Sequence, residues 1–308
     1  MKIGIVGCGA MGCVYAGLLS EAGHEVWAVD LWKEHIDAIR EHGLRLEGIS
    51  GNRTLPINAT TLPVEAGPCD LVVLATKAMH VPAAARGMAP LIVNKTHVIS
   101  IQNGLGGPDA AAKELGDTPV ITGVAGGFGA SIKGPGAAHH NGMELIRLGN
   151  HRGPVTPALE EFAALWREAG FNVRTFDDID QLVWEKLICN VCFSGTCTIT
   201  EYTIGEVIED ADAWHAASTC AREAFAVAVA RRITVDIQNP VDYVREFGEK
   251  IPHARPSMLL DHIANRASEI DNINGAIPLA GVEVGVDTPF NDIVSALVRA
   301  KERRMGVR

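Results

Sequence analysis

Six residues near the N-terminus have the types and spacing of a phosphate-binding turn, Gly7-Cys8-Gly9-Ala10-Met11-Gly12. They follow a short apolar run, Met1 to Val6, and lead into a helical pattern that extends to Ala22. In such a strand, turn and helix, the first glycine makes the tight turn, the second lets backbone N–H groups approach a pyrophosphate, and the third lets the helix pack on the strand. The helix N-terminus adds partial positive charge. The pattern predicts a dinucleotide-binding site.

An acidic residue stands where the ribose of such a dinucleotide would lie. The run from His24 to Val29 predicts a second strand, and Asp30 follows it, eighteen residues after Gly12. A carboxylate there accepts hydrogen bonds from the ribose hydroxyls and repels a 2′-phosphate. We therefore expect NAD(H) to be favoured over NADP(H), although Lys33 could offset part of the charge. The alternative is that Asp30 only ends the strand and begins a turn.

Further polar residues follow two apolar, strand-like runs and interrupt one helix. Lys77 and Asn103 come directly after the two runs, at the strand ends where open α/β sheets bind ligands. We expect the Lys77 ammonium to face the cofactor or an anionic substrate, and the alternative is a solvated lysine at a strand end. Lys186, Asn190 and Ser194 lie four residues apart on an apolar helical pattern, in one stripe roughly 80° wide. A row with so little charge favours a site over a solvent-facing surface.

The elements that position these residues change in type once along the chain. Strand-like runs alternate with helical ones up to Phe176 and then give way to helical patterns alone. We predict an α/β protein with an N-terminal Rossmann-type doubly wound sheet, residues 1–177, that binds the dinucleotide. An all-helical C-terminal domain, residues 178–308, would follow it. Its helices are predicted over 180–200, 210–232, 240–250, 257–273 and 288–303, with Ser257 as an N-cap.

Composition excludes several classes of protein. The 308 residues carry a net charge of −10, which disfavours nucleic acid and anionic membranes as partners. No apolar run reaches the eighteen residues of a membrane span, and the first strand leaves no room for a signal peptide. We therefore expect a cytoplasmic protein.

Cysteines and histidines do not form a metal-ligand pattern in this sequence. The seven cysteines lie mostly in apolar segments, as suits a reducing compartment. Cys189 and Cys192 form a C-x-x-C without a second pair, so we read them as buried thiols rather than as a metal or redox site. His139 and His140 lie in a Gly-rich stretch and are predicted to be a loop pair. We expect no metal.

Several segments, in their order and separation, resemble the ketopantoate reductase family over nearly the whole chain. They are Gly7 to Gly12, Thr76-Lys77-Ala78, Gln102-Asn103-Gly104, Trp184-Glu185-Lys186-Leu187 with Asn190, Pro256-Ser257-Met258-Leu259, and Glu269-Ile270-Asp271 with Asn274-Gly275. The resemblance implies a homodimeric enzyme of pantothenate biosynthesis. Its reaction would be the NAD(P)H-dependent reduction of a 2-oxo acid to a D-2-hydroxy acid.

The resemblance also implies roles for individual residues. Lys186 would give a proton to the carbonyl oxygen, a role suited to a side chain that is protonated near neutrality. Glu269 would contact ligands and hold the lysine network. Implied substrate contacts are Asn103, Lys186, Asn190, Ser194 and Ser257, with Ser257 placed for the carboxylate. Implied cofactor contacts are Gly7, Cys8, Gly9, Ala10, Met11, Gly12, Asp30, Lys77, Asn103, Ala130 and Glu269.

Two departures from the family pattern keep other functions open. Ser194 stands where the family commonly has a second asparagine, and Asp30-Leu31-Trp32 stands where NADP-using members tend to have a basic residue. An NAD-dependent D-2-hydroxyacid dehydrogenase acting on a different 2-oxo acid is therefore the main alternative. A nonenzymatic NAD(P)-binding redox sensor is a lesser one, because a sensor has no need of the proton donor Lys186 beside Glu269.

Overall fold

A computed structural model describes residues 1–127 and 129–308 of the chain. They group into two compact units, of which the first comprises Met1–Gln102 and Gly106–Ile179 and the second comprises Asn103–Leu105 and Asp180–Arg308. Within these described residues, no helix is both long enough and apolar enough to cross a membrane.

The first unit is built on an eight-stranded sheet. The strands of the chain are β1 (Lys2–Val6), β2 (Glu25–Val29), β3 (Leu44–Gly48), β4 (Arg53–Leu55), β5 (Asn58–Thr60), β6 (Leu71–Leu74), β7 (His97–Ser100), β8 (Val120–Gly126), β9 (Gly129–Gly134), β10 (Ala137–Gly142), β11 (Leu145–Asn150) and β12 (Val173–Thr175). The sheet has the order β12-β11-β8-β7-β6-β1-β2-β5, and its pairs are parallel except β11 with β8. This order confirms the predicted doubly wound α/β fold.

Helices cover both faces of this sheet. They are α1 (Ala10–Glu21), α2 (Lys33–His42), α3 (Pro63–Ala66), α4 (Val81–Gly87), α5 (Gly107–Leu115) and α6 (Pro157–Glu168). Alternate side chains of one strand enter two different cores: Leu71 and Val73 pack in one, and Val72 and Leu74 in the other. Such strands are buried on both sides, which is why the sequence showed them as continuous apolar runs.

A second, four-stranded sheet of order β4-β3-β10-β9 was not predicted from the sequence. His139 and His140 lie in β10, so their assignment to a loop was wrong. The stretch is rich in glycine, which is depleted in strands. These strands exist because β10 pairs with β3 and β9, while Ala138 and Ile132 pack against the core below α1.

The second unit is entirely helical among its described residues, as predicted. Its helices are α7 (Ile179–Thr200), α8 (Ile204–Glu209), α9 (Ala211–Ala230), α10 (Pro240–Glu249), α11 (Ser257–Ile263), α12 (Ala276–Val284) and α13 (Pro289–Met305). The sequence prediction missed α8 and α12 and extended α11 to residue 273. The chain leaves α11 early because Asn265 adopts a left-handed conformation, φ 51°, and Arg266 N–H donates back to the Asp261 carbonyl at 2.8 Å.

Candidate active site

The glycine turn between β1 and α1 has the geometry that dinucleotide binding requires. Gly7 has φ 90°, and a Cβ on it would lie 2.5 Å from the Thr76 backbone nitrogen. A Cβ on Gly12 would lie 2.2 Å from the Gly7 carbonyl oxygen, so the helix and the turn are in direct contact. A Cβ on Gly9 would meet no atom within 4 Å. The open side of the turn therefore leaves room for a pyrophosphate, and these residues fit the dinucleotide.

Asp30 and Lys77 lie at the same edge of the sheet as this turn. The Gly7 N–H donates to the Val29 carbonyl at 2.9 Å, and β6, β1 and β2 are neighbours, so all three strands end together. The half-buried Asp30 accepts a hydrogen bond from the Trp32 N–H at 2.9 Å. Lys33 forms an ion pair with Asp37 one turn along α2. The positive charge of Lys33 is therefore paired with Asp37 and not with Asp30.

The remaining cofactor candidate of the first unit, Ala130, lies in β9 opposite His140. It packs against the same apolar core as Met11 of the glycine turn. The second sheet therefore supports the turn from the side of α1, which packs on β9 and β10.

Three predicted residues meet in the second unit. The Lys186 ammonium on α7 donates to Asn103 Oδ1 at 2.8 Å, and Asn103 Nδ2 donates to Glu269 Oε2 at 3.4 Å. Glu269 is 8% exposed. The Asn103 amide thus lies between a cation and a carboxylate. Its acceptor oxygen faces the lysine ammonium, and its donor nitrogen faces the glutamate carboxylate. This arrangement fixes the direction of one N–H of the ammonium and the orientation of the amide.

A reciprocal backbone contact holds Asn103 in this position. The Leu105 N–H donates to the Asn272 carbonyl at 2.8 Å, and Asn272 Nδ2 donates to the Leu105 carbonyl at 3.0 Å. Gly104, with φ 81°, lies so close that a Cβ on it would be 2.1 Å from the Asn272 oxygen. We call these two bonds and this close approach the Asn272 clamp. The Asn272 clamp was not predicted from the sequence. The position of Asn272, three residues after Glu269, is the sequence feature that could have indicated it.

Buried amides connect the loop after Glu269 to α7. Asn274 Nδ2 donates to the Val191 carbonyl at 2.8 Å and to Asn291 Oδ1 at 3.1 Å. Asn291 in turn donates to Glu223 Oε2 at 2.7 Å, and that carboxylate also accepts backbone N–H groups at the start of α13. A carboxylate at a helix N-terminus satisfies donors that have no partner inside the helix. A Cβ on Gly195 would lie 2.3 Å from Val294, so Gly195 lets α13 approach α7.

The other predicted substrate residues are placed on two helices. Asn190 is half-buried on α7, and Ser194, one turn further, is 3% exposed. Ser257 is exposed and is the first residue of α11, whose N-cap is Pro256, so the N-cap assignment of Ser257 was wrong. These three residues remain predicted contacts.

All seven cysteines are free and buried. Burial raises the pKa of the Cys189 thiol to about 12 and that of Cys192 well above its usual range, as expected of thiols inside α7. The fold also brings Cys8, Cys13 and His35 together, with their ligand atoms within 4.8 Å of one another. Nothing in the sequence indicated this group, because His35 is on α2.

Comparison with known proteins places this geometry in a family. The chain matches the model of Ketopantoate reductase PanE/ApbA over residues 3–153 and that of the C-terminal part, Ketopantoate reductase PanE/ApbA C terminal, over residues 178–302. It is 31% identical to a 2-dehydropantoate 2-reductase of Streptococcus pyogenes, with 100% of both chains covered.

Two solved structures show the same fold at similar identity. A PanE/ApbA family ketopantoate reductase from Ralstonia eutropha JMP134 has a TM-score of 0.92 at 30% identity, covering 99% of this chain and 100% of that one. D-mandelate dehydrogenase in a ternary structure with NADH and anilino(oxo)acetate has a TM-score of 0.93 at 30% identity, with 100% of both chains covered. The chain belongs to the ketopantoate reductase family of NAD(P)-dependent oxidoreductases.

Proposed function

We propose that this protein reduces a 2-oxo acid to a D-2-hydroxy acid with NAD(P)H, with 2-dehydropantoate as the leading substrate. The observation that carries the proposal is the row formed by Lys186, Asn103 and Glu269. A cation held by a neutral amide, with a carboxylate behind the amide, is suited to protonating a carbonyl oxygen.

Each of the three residues has a separate task in this reaction. The nicotinamide, when bound, supplies the hydride. Lys186 gives its proton to the carbonyl oxygen, and its positive charge stabilises the negative charge that develops there. Asn103 holds the ammonium by one N–H, so that the proton to be transferred has a defined direction. Glu269 accepts from the other end of the amide and thereby keeps its acceptor oxygen toward the lysine.

We propose that dinucleotide binding rests mainly on the predicted domain over residues 1–177. The N–H groups of the Gly7 to Gly12 turn would hold the pyrophosphate, with Lys77 and Ala130 as further contacts, and Asp30 would accept from the ribose. We propose that NADH is preferred over NADPH. Asp30 would repel a 2′-phosphate, Lys33 is engaged by Asp37, and Leu31 is an apolar residue that is 91% exposed.

A different 2-oxo acid is the second candidate substrate. Ser194 is one helical turn beyond Asn190, and its side chain is shorter than the amide that the family commonly has there. A pocket with Ser194 has more room and one donor fewer for a substrate hydroxyl. The similarity to D-mandelate dehydrogenase, whose structure holds NADH and anilino(oxo)acetate, supports an NAD-dependent dehydrogenase of this kind.

The helical domain, residues 178–308, is proposed to bind the substrate and to form a homodimer. Leu279 and Val282 on α12 and Ile293 and Leu297 on α13 are each at least half exposed, and α12 contacts α13. Exposed apolar residues in this number favour association with a second copy. Seven free thiols favour the reducing cytoplasm. Light scattering of the purified protein tests the dimer directly.

A panel of 2-oxo acids assayed with NADH and with NADPH tests the proposal. The expected result is turnover of 2-dehydropantoate or of an aromatic or branched 2-oxo acid, with higher kcat/KM for NADH, and a D-configured product. Clearly higher efficiency with NADPH would contradict the role of Asp30. Nicotinamide binding without turnover of any 2-oxo acid would contradict the enzymatic function and favour a sensor.

A further inference from the structure

Two thiols, one in the glycine turn and one on α1, lie close together, and their sulfur atoms have no task in the reaction described above. Cys8, in the turn, and Cys13, in the first turns of α1, are both fully buried, and their sulfur atoms are 3.8 Å apart. Cys13 Sγ also lies 3.3 Å from His35 Nε2 and 3.3 Å from the Cys8 carbonyl oxygen.

The hydrogen bond at the other ring nitrogen of His35 decides what this cluster can do. The backbone N–H of Gly136 donates to His35 Nδ1 at 3.0 Å, so Nδ1 carries no proton. A neutral imidazole must then hold its proton on Nε2, where it faces Cys13. A histidine that ligates a metal through Nε2 donates from its other ring nitrogen instead. The cluster is therefore arranged to present an N–H to a sulfur atom rather than to bind a metal ion.

We propose that Cys8 and Cys13 are an oxidation site at which hydrogen peroxide forms an intramolecular disulfide that disables the dinucleotide turn. Cys13 is assigned as the attacking sulfur because the His35 N–H stabilises negative charge on it. Its sulfur forms a bond to one peroxide oxygen as the O–O bond breaks. The thiol proton ends on the departing hydroxide as water, and Cys13 becomes a sulfenic acid.

The second step closes the disulfide. The Cys8 sulfur attacks the Cys13 sulfur, the S–O bond breaks, and a second water leaves with the Cys8 proton. Two thiols thus lose two electrons to one peroxide. The hydrogen bond with Cys13 and burial raise the pKa of Cys8 well above its usual range, which fits its role as the second sulfur. A dithiol reductant reverses the reaction by exchange.

Closure of the disulfide would deform the turn. The two sulfurs must move from 3.8 Å to the ~2.05 Å of a disulfide. Gly12 already packs against the Gly7 carbonyl, so the turn cannot relax toward the helix. In our proposal the peptide groups on either side of Cys8 rotate to take up part of this movement, and one of them carries the Gly9 N–H beside the open space over the turn. Peroxide, which is little larger than water, would enter from that side, and bound dinucleotide would block it.

The test measures disulfide formation and the loss of NADH binding separately. Only the loss of NADH binding rests on the proposed function, because it needs the proposed dinucleotide site. Peroxide is added to the reduced full-length protein, thiols are counted, and peptides are mapped by mass. We expect loss of two thiols, a link between Cys8 and Cys13, and an NADH dissociation constant raised by ~10-fold or more as N–H contacts to the pyrophosphate are lost. Prior NADH should slow the reaction, and a dithiol should restore binding.

Variants assign the roles. Cys13→Ala should keep NADH binding after peroxide, whereas Cys69→Ala, which removes a buried thiol of the same unit outside the turn, should behave as wild type. His35→Gln keeps an N–H donor and an acceptor and should oxidise faster than His35→Leu. The proposal would be overturned by a disulfide between other cysteines, by the absence of any disulfide, or by equal oxidation rates of the two His35 variants. Zinc that stays bound to the reduced protein and protects both thiols would overturn it as well. Absence of NADH binding before oxidation would instead contradict the proposed function.

Discussion

Replacing Lys186 by methionine removes the ammonium while keeping an unbranched side chain of similar length. The substitution deletes the 2.8 Å hydrogen bond to Asn103 Oδ1 and, with the ammonium, the proposed proton donor. Loss of a general acid typically lowers the rate by ~10²–10⁴-fold. At about 1.36 kcal/mol per tenfold, this corresponds to ~3–5 kcal/mol of transition-state stabilisation. The half-buried site should tolerate the loss of one hydrogen bond at a cost near ~1 kcal/mol in folding stability.

Asn103→Ala separates the donor from the group that orients it. The ammonium remains, but its amide partner is lost, and a hydrogen bond to a charged group is worth ~1.5–3 kcal/mol. We therefore expect kcat to fall by a factor of about 10 to 150 in the wild-type background. In the Lys186→Met background, Asn103→Ala should lower kcat no further, because no ammonium is left to orient. Its predicted contact with the substrate should raise KM in both backgrounds.

The assay follows nicotinamide absorbance during reduction of the best 2-oxo acid of the panel. Fluorescence titration of NADH and thermal unfolding show whether each variant is folded and binds the cofactor. The reasoning is refuted if Lys186→Met keeps near-normal turnover. It is also refuted if Asn103→Ala lowers kcat by the same factor in both backgrounds, since Asn103 would then act independently of the lysine. A variant that binds no NADH indicates misfolding rather than loss of the donor.

Four further outcomes are expected. Asp30→Ser should reduce the ratio of kcat/KM for NADH to that for NADPH, and an unchanged ratio would show that the carboxylate does not face the ribose. Ser194→Asn should shift preference toward 2-dehydropantoate by severalfold to about a hundredfold, whereas an equal change for all 2-oxo acids would exclude Ser194 from the pocket. Asn272→Ala, which removes the side-chain bond of the Asn272 clamp, should lower kcat while leaving the NADH dissociation constant unchanged. Burial raises the pKa of Glu302, but hydrogen bonds from Ser268, Arg308 and His262 together outweigh burial and hold the pKa below its usual range. This stabilisation is therefore present above about pH 4.3 and is lost as the pH falls through the lowered pKa. Glu302→Gln should flatten acid unfolding in that range, and identical pH curves for the two proteins would contradict this.

The parts of the fold that were predicted from the sequence are those with local signals. Strand β6 is buried on both sides, so its residues form an unbroken apolar run, and the glycine turn has its own steric pattern. The second sheet has no such signal. Its pairing of Ala137 with Arg45 joins short, glycine-containing strands from distant parts of the chain, and neither strand would be stable without the other.

The sequence pointed to the candidate residues Lys186, Asn103 and Glu269 but not to the groups that hold them in place. Helical spacing drew attention to Lys186, whereas its assignment as proton donor came from the family resemblance. Apart from the side-chain amide of Asn272, the Asn272 clamp uses two carbonyl groups and one N–H of the backbone, which every sequence contains. The meeting of His35 with Cys13 depends on where the fold places α2 relative to α1, and short-range patterns contain no information on that placement.

The hydrogen bonds of the Lys186 row span 83 and 166 positions of the chain. The chain also leaves the first unit at Gln102, contributes three residues to the second unit, and returns at Gly106. Closing loops of this length costs entropy that only a nearly complete fold repays. During synthesis the glycine turn can therefore form early, from adjacent residues, while Glu269, which completes the Lys186 row, emerges only in the last third of the chain. A chain that ends before Glu269 would therefore contain the proposed dinucleotide turn but not the complete row.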